Sequence, residues 1–398
     1  MTHAPVKVCD SFAVPVPILA LGGDLKARPG LLEQASLQLS PPLGDLAEPG
    51  ARSRFDEAIA SLLADASHPE AQIVVDLHPG YHSHLVGHRL APSRRSPLLI
   101  QHHHAHLASC MAEHGLSVDS SAIFGVALDG LGYGLGGQLW GGEIGRVDFT
   151  TFERSARLRP VPLLGGDLAA RQPWRNAYAY LVLQLGWPRL LAEHGTTDIV
   201  RYLRSQPHEL LDAALLRGIN SPSASSCGRL FDAVAACVGL HRDAIAFEAQ
   251  AAIALQQAAE LYRDDPHARS TPYPFDLIPD TGGGLSELVC DGMWPRLLAD
   301  VERGMPAGSV ALRFHLGLAL GLCEAVFSAA AHYAHLPRIV ALSGGVFQNA
   351  LLRDEMRQSL EARGFRVLLP QRLPAHDEGL CLGQAVLAAA RIKRLDCH

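Results

Sequence analysis

The chain is short of most of the small signatures from which a function is commonly read. Its eight cysteines, at 9, 110, 227, 237, 290, 323, 381 and 397, never form a Cys-x-x-Cys pair. A zinc ribbon and a disulfide framework are therefore not expected, and buried thiols in a reducing cytoplasm are. Basic charge is scarce: Lys plus Arg total 34 against 40 for Asp plus Glu, a net charge of −6. A free-standing nucleic-acid binder carries a basic surplus, so nucleic acid is not an expected partner. Met1 to Ser11 has no basic segment leading into an apolar run, so no secretory leader is expected. Phe12 to Leu21 is too short for a membrane span and holds Pro15 and Pro17. Val310 to Ala331 is interrupted by Arg313, His315 and Glu324 and reads as a buried helix of a soluble protein, with no membrane partner. No Gly-Lys-Ser/Thr loop, Ser-His-Asp signature, nucleophile elbow, fixed-period repeat or low-complexity tract is visible.

What the chain does have is apolar mass. Its 398 residues are 48% hydrophobic and 19% charged, which allows a large core and argues against disorder. At roughly 150 residues per unit the length suggests two or three structural units, or two lobes of one enzyme. Short β-like runs at Ile18 to Leu21, Ile73 to Val75, Ile123 to Leu128, Val310 to Leu312 and Ile339 to Leu342 alternate with helical periodicity. The helical stretches are Phe55 to Ala66, Arg175 to Leu185, Ala244 to Arg263, Phe314 to His335 and Gly383 to Arg394. Interleaving of this kind predicts an α/β class with parallel strands. Pro29 to Arg54, with four prolines, reads as loop, and Asp264 to Gly284 as an excursion.

The densest chemical signal is Gln101-His102-His103-His104-Ala105-His106. On a helix, His102 and His106 share a face with Cβ atoms about 5–6 Å apart, close enough for both imidazoles to hold one ion. His103 with His106 is a second option, and a solvated polar helix end the plain one. Imidazole completed by carboxylate suits zinc or iron better than magnesium.

Two junctions join strands to glycine-rich loops. Leu128-Asp129-Gly130-Leu131-Gly132-Tyr133-Gly134 lets backbone N–H groups approach an anion, although by itself a plain hairpin turn explains it better. Leu342 to Asn349, with Gly344-Gly345, feeds a helix at Ala350; this suits a nucleotide phosphate at the helix N-terminus, or a tight packing turn. Asp232 places an acid on an otherwise apolar helix, Ala233 to Leu240, where a ligand hydroxyl would compensate its burial. Asp377 precedes a helix from Leu380 and reads as its cap. Nothing in the sequence demands a nucleophile from this chain.

Taken in order, these segments closely resemble the C-terminal carbamoyl-transfer domain of the hydrogenase maturation factor HypF, within the actin-like ATPase (ASKHA) superfamily. Further segments carrying the resemblance are Ala20 to Lys26, Gly44 to Leu46, Asp76-Leu77-His78-Pro79-Gly80-Tyr81, Arg159 to Asp167, Ser225 to Ala233 and His376 to Gln384. The resemblance covers nearly the whole chain.

It implies two ribonuclease-H-like lobes around a nucleotide and metal cleft, divided as 1–120 and 121–398. The second lobe would hold a helical insertion and the nucleotide loops, and the C-terminal helix would pack back on the first. It implies transfer of a carbamoyl group from carbamoyl-adenylate, made ultimately from ATP and carbamoyl phosphate, to the C-terminal cysteine thiol of HypE. The thiocarboxamide formed is the precursor of the cyanide ligands of the nickel–iron centre. The family's metal ligands fall on His102, His106, Asp129 and Asp377, for a divalent ion, zinc or iron. Its nucleotide contacts fall on Gly130, Asp232 for the ribose, and Gly345 and Asn349 on the adenosine side, with Asp129 bordering both sets. No catalytic side chain beyond the metal site is implied.

Full-length members of the family carry an acylphosphatase-like domain, a Cys-x-x-Cys zinc-finger region and an adenylate-forming domain ahead of this one. None is found in these residues, so a separate adenylate-forming protein is an expected partner. Ala249 and Glu378 replace usual glycines, and Gly80 a usual acid. Ala249 would crowd a close backbone approach, and Glu378 adds charge beside Asp377. Three other readings exist: a non-catalytic docking subunit for HypE or a full-length HypF, a tRNA threonylcarbamoyl transferase, and an antibiotic O-carbamoyltransferase. The tRNA enzymes show His-x-Glu-Gly-His where this chain has His-His-His-Ala-His.

Overall fold

The computed structural model describes residues 5–64, 66, 70–91, 96–280 and 284–396. Asp65 at the end of the predicted 55–66 helix, residues 281–283 of the predicted excursion, and Cys397 lie outside them. Two mixed sheets organise the chain. In the first, Ser36–Leu39, Gly30–Glu33 and Ile18–Ala20 run antiparallel, and Gln72–Asp76 and Leu98–Ile100 continue parallel, with Val6–Lys7 at the outer edge. In the second, Phe152–Leu158, Leu139–Val147 and Ile123–Tyr133 are antiparallel, and Ile339–Ser343 and Arg366–Leu368 follow in parallel. Numbered within its own unit, each five-strand core has the order 3-2-1-4-5. That duplicated order is the ribonuclease-H arrangement of an actin-like ATPase fold. We propose the connection around residue 120 as the boundary between the lobes.

The inner strands are buried along their length, as in Gln72–Asp76 and Ile339–Ser343, because helices cover both faces of their sheet. Between the sheets lie two helices, His102–Glu113 and Leu380–Asp396. The C-terminal helix packs on the strands of the first sheet and on the histidine helix, and the histidine helix packs on Ile123–Tyr133 of the second. Every residue from His102 to Glu113 is buried as a result. Met111, Leu382 and Val386 are among the side chains that join this layer, each burial stabilising by roughly 1.5–3 kcal/mol.

Several elements differ from the sequence expectation. Val310 to Leu312 is not a strand but part of the helix Ala307–His332. An apolar helix buried on nearly all sides lacks the polar stripe that would have set its period. This helix is long and apolar enough to cross a membrane, yet 83% of its apolar window is buried within the protein. Pro29 to Arg54 is not mostly loop: it holds the hairpin Gly30–Glu33 and Ser36–Leu39 and the start of the helix Ala51–Ala64. The hairpin turns on Gln34 and Ala35, with φ of 45° and 63°, without the Asn-Gly signal such turns usually carry. The predicted helix from Ala244 starts only at Gln250, because Ala249 is left-handed at φ 62°. The 264–284 region contains a short helix, Pro266–Ser270, and a strand, Asp276–Ile278. Asp232 lies on an apolar helix as expected, one that runs Cys227–Cys237.

Candidate metal and nucleotide site

The histidine helix begins at Gln101, whose side-chain oxygen accepts the N–H of His104 at 2.8 Å and caps the first turn. Its amide nitrogen reaches His103 Nδ1 and the carbonyl of Tyr133, both at 3.1 Å. His103 is thereby turned from the i, i+4 face, and His104 Nε2 donates to the carbonyl of Asp148 at 2.7 Å. Burial depresses both: His103 falls well below the ordinary imidazole range, and His104 to about 4. Both are neutral packing groups near pH 7.

His102 and His106 face the other way. Their Nε2 atoms are 3.2 Å apart, and each lies near Asp129 Oδ2, at 3.3 Å and 3.2 Å. Asp377 Oδ1 completes the group at 3.6 Å and 3.4 Å. All four candidate ligand atoms fall within 4.8 Å of one another. Ligands about 2.0–2.1 Å from a tetrahedral centre stand about 3.3 Å from one another, so this donor set fits one divalent ion.

Each member is delivered by a different local device. Ile123–Tyr133 leaves its ladder between Leu128 and Gly132, and this irregularity is where Asp129 and Gly130 stand. Gly132 is required there, since a Cβ would lie 2.5 Å from His103 Cε1 and 2.8 Å from His102 Cδ2. Gly345 likewise leaves room for a carboxylate: a Cβ would sit 3.0 Å from Asp129 Oδ1. Asp377 opens a single 3-10 turn directly ahead of the C-terminal helix, and His376 stands at the cap of that turn. The electrostatics are those of an ion-paired cluster. Burial works against charge on His102, but Asp76 and Asp377 outweigh it and hold this imidazole well above the usual range. His106 is raised against the same penalty by Asp129 and Asp377. Burial opposes ionisation of Asp129, yet the two imidazoles hold its carboxyl well below the usual range.

Beside the cluster lies a cavity of about 400 Å³ bordered by Asp129, Gly130, Asp232, Gly345, Asn349 and Asp377. All the sequence-predicted nucleotide residues thus share one space with the two aspartates. Asp232 is fully buried; Arg229 Nε lies 2.8 Å from its Oδ2, yet neither carboxylate oxygen has a well-aligned hydrogen bond. Burial pushes this acid upward and Arg229 opposes the shift. Asn349 is already engaged, accepting the Leu352 N–H at 3.0 Å as a helix cap and placing Nδ2 2.9 Å from His315 Nε2. Its side-chain amide is thus committed to the fold.

Three features of the site were not singled out in the sequence. Asp76 accepts from His102 behind the cluster, Lys26 and Glu248 form an ion pair at the cavity wall, and Ser226 bonds the Gly130 carbonyl. The signal for Asp76 was present, as an acid at the end of an apolar strand while each ligating imidazole needs an acceptor for its second nitrogen. Ala249 borders the cavity and holds a left-handed backbone, the conformation a glycine takes freely. Cys227 is a poor internal nucleophile: burial pushes its thiol far up, and Asp129 adds to the shift.

A duplicated ribonuclease-H core with a buried two-histidine, two-aspartate cluster beside a cavity defines an actin-like fold of the Kae1 kind. The chain belongs to the HypF carbamoyltransferase family. The family described as carbamoyltransferase, Kae1-like domain, second subdomain, matches residues 125–384, and the HypF Kae1-like domain matches 14–113. Carbamoyltransferase HypF of Rhodobacter capsulatus is 38% identical over 389 residues, 96% of this chain and 48% of that protein. A HypF homolog of Cupriavidus necator is also 38% identical, over 94% of this chain and 91% of its own length. A crystal structure of full-length HypF in the phosphate- and nucleotide-bound form superposes with a TM-score of 0.85 at 28% identity, covering 98% of this chain and 57% of that one. The chain therefore spans about half the length of the Rhodobacter relative and nearly all of the Cupriavidus homolog.

Proposed function

We propose that this chain is a carbamoyltransferase of nickel–iron hydrogenase maturation, moving the carbamoyl group of carbamoyl-adenylate to the C-terminal cysteine thiol of HypE. The observation that carries this reading is the contiguity of the four-ligand cluster with the cavity: Asp129 and Asp377 border both. The thiol sulfur attacks the carbamoyl carbon and the bond from that carbon to the phosphate oxygen breaks. A thiocarboxamide and AMP result, and the thiol proton passes to solvent.

His102, His106, Asp129 and Asp377 would hold a divalent ion, zinc or iron, which when bound supplies a Lewis acid for the developing charge. The chain's own residues do the rest. Asp232, buried and short of hydrogen bonds, accepts from a ribose hydroxyl. Gly130 and Gly345 leave backbone exposed to the acyl-phosphate and the adenosine. Nothing in these residues is assigned to activating carbamoyl phosphate with ATP, and the donor is taken as preformed carbamoyl-adenylate.

Purified chain is incubated with HypE and either carbamoyl phosphate plus ATP or preformed carbamoyl-adenylate, and intact mass spectrometry reads the HypE cysteine. Modification from the adenylate alone is the expected result. Modification from both donors would place activation within these residues. With neither donor effective and HypE still bound, the chain would be a docking subunit.

A further inference from the structure

A second cavity, of about 560 Å³, reaches the same two aspartates. It shares Asp129, Gly130, Arg229 and Asp377 with the first but leads elsewhere, past Leu25, Leu131, Ala170, Arg171 and Ile245. The segment from Phe247 to Ala249 borders both spaces. The walls that belong to the second space alone combine apolar surface with the cationic charge of Arg171. Leu25 and Phe247 are 38% and 56% exposed, unusual for large apolar side chains at a cleft. Arg171 is exposed, and no acidic side chain among the described residues pairs with its guanidinium. Its backbone is held firmly nonetheless, because its carbonyl accepts the Ile245 N–H at 3.0 Å. A volume of this size, with apolar walls and a few convergent charged groups, is that of a ligand site; Asp129, Asp377 and Glu248 lie on the border shared with the first cavity, and Arg171 lines only the second.

A transferase that seats its donor in one space must admit its acceptor by another. We propose that this second cavity is the acceptor subsite and takes the extended end of a protein chain. Apolar residues of that chain lie on Leu25, Leu131 and Phe247, its terminal carboxylate pairs with Arg171, and its last side chain, a thiol, is carried toward Asp129 and Asp377. The proposal rests on the transferase reading above and specifies what that reading leaves open: which opening the acceptor uses and what it must present. The unpaired guanidinium selects a free chain end, since a planar fork matches a carboxylate bidentately. An internal cysteine would bring no carboxylate and be refused.

The test uses the full chain and a fluorescein-labelled peptide of the ten C-terminal residues of HypE, as free acid and as C-terminal amide, read by anisotropy. The free acid is expected to bind roughly ten-fold or more tightly than the amide, the scale of a lost charge-assisted pair. In Arg171→Ala that preference disappears, Arg171→Lys restores part of it, and AMP affinity by calorimetry is unchanged in both. AMP and peptide are expected to bind together. Equal binding of acid and amide to the unmodified chain overturns the subsite, as does displacement of the peptide by AMP. Thermal melting of the Arg171 variants separates loss of binding from loss of fold. If the peptide behaves as expected but carbamoyl-adenylate never modifies HypE, the transferase reading fails and the binding site stands. Modification of an amidated tail as readily as a free one overturns the subsite alone.

Discussion

Asp76 Oδ2 accepts the Nδ1–H of His102 at 2.8 Å, joining the end of a strand in the first sheet to a helix that delivers its other nitrogen to an acid of the second. Both side chains are fully buried. Asp76 Oδ1 is also occupied, accepting the His78 N–H at 2.8 Å, so the carboxylate cannot turn. The pair keeps the Nδ1 proton in place, so that Nε2, the nitrogen 3.2 Å from that of His106, is the one His102 would offer to an ion on losing its second proton. Asp76→Asn is therefore expected to weaken metal binding by about 10–100-fold, the usual cost of losing such a partner. Competition against a chromophoric chelator measures it. An unchanged affinity would show that Asp76 serves only the fold.

The choice between the neighbouring histidines is equally testable. His102→Ala removes one of four convergent ligands, whereas His103→Ala removes a ring held by Gln101 and packed 5.9 Å from the Trp140 ring. Metal content per chain after reconstitution should collapse in the first and persist in the second. Loss confined to the His103 variant would overturn the ligand assignment.

Four-residue spacing put His102 and His106 on one helical face, and the glycines beside Asp129 marked a loop open to an anion. Asp129 and Asp377 as ligands, and the nucleotide roles of Asp232, Gly345 and Asn349, came from the family resemblance, because local pattern alone left each of them open. What local pattern lacks is direction across the fold. Asp76 is 26 positions from His102 and became its partner only once the strand and the helix packed. Lys26 and Glu248 are 222 positions apart, and nothing near either announces the other. The first sheet was half hidden for a different reason: Pro29, Pro41 and Pro42 flank the two hairpin strands without interrupting them, yet in sequence they read as a run of breakers.

Asp232 offers a case in which stability and binding should fall together by separate causes. Removing one partner of a buried ion pair leaves the Arg229 guanidinium uncompensated, so Asp232→Asn should lower the melting temperature. The same change removes a charged acceptor from the nucleotide cavity, and AMP affinity should fall by about 10–100-fold by calorimetry. Metal content should be unaffected, because Asp232 is not part of the cluster. A variant that melts lower and binds AMP normally would assign Asp232 to structure alone.

His315 sets a pH limit on the fold. It is fully buried on the helix Ala307–His332, donating from Nδ1 to the Ala311 carbonyl at 2.7 Å and accepting the Asn349 amide on Nε2 at 2.9 Å. Burial lowers its pKa from 6.5 to about 4. Above pH 6.5 neither the folded nor the unfolded chain protonates this ring, and it adds no pH dependence. Between 6.5 and 4 the unfolded chain takes up a proton that the folded one refuses, so stability declines steadily as pH falls. Below 4 the loss levels off at roughly 3 kcal/mol, the size of such a shift. His104, depressed to the same value by burial, adds its own loss in that window. Urea unfolding at a series of pH values should therefore show a steeper acid decline in the unmodified chain than in His315→Gln, which keeps hydrogen-bonding capacity toward Ala311 and Asn349 without a titrating ring. Protonation would also place a second donor against the Asn349 amide and loosen the cap on Ala350–Ala362, so AMP affinity should weaken across the same interval. Parallel pH profiles for the two proteins would remove His315 as the cause.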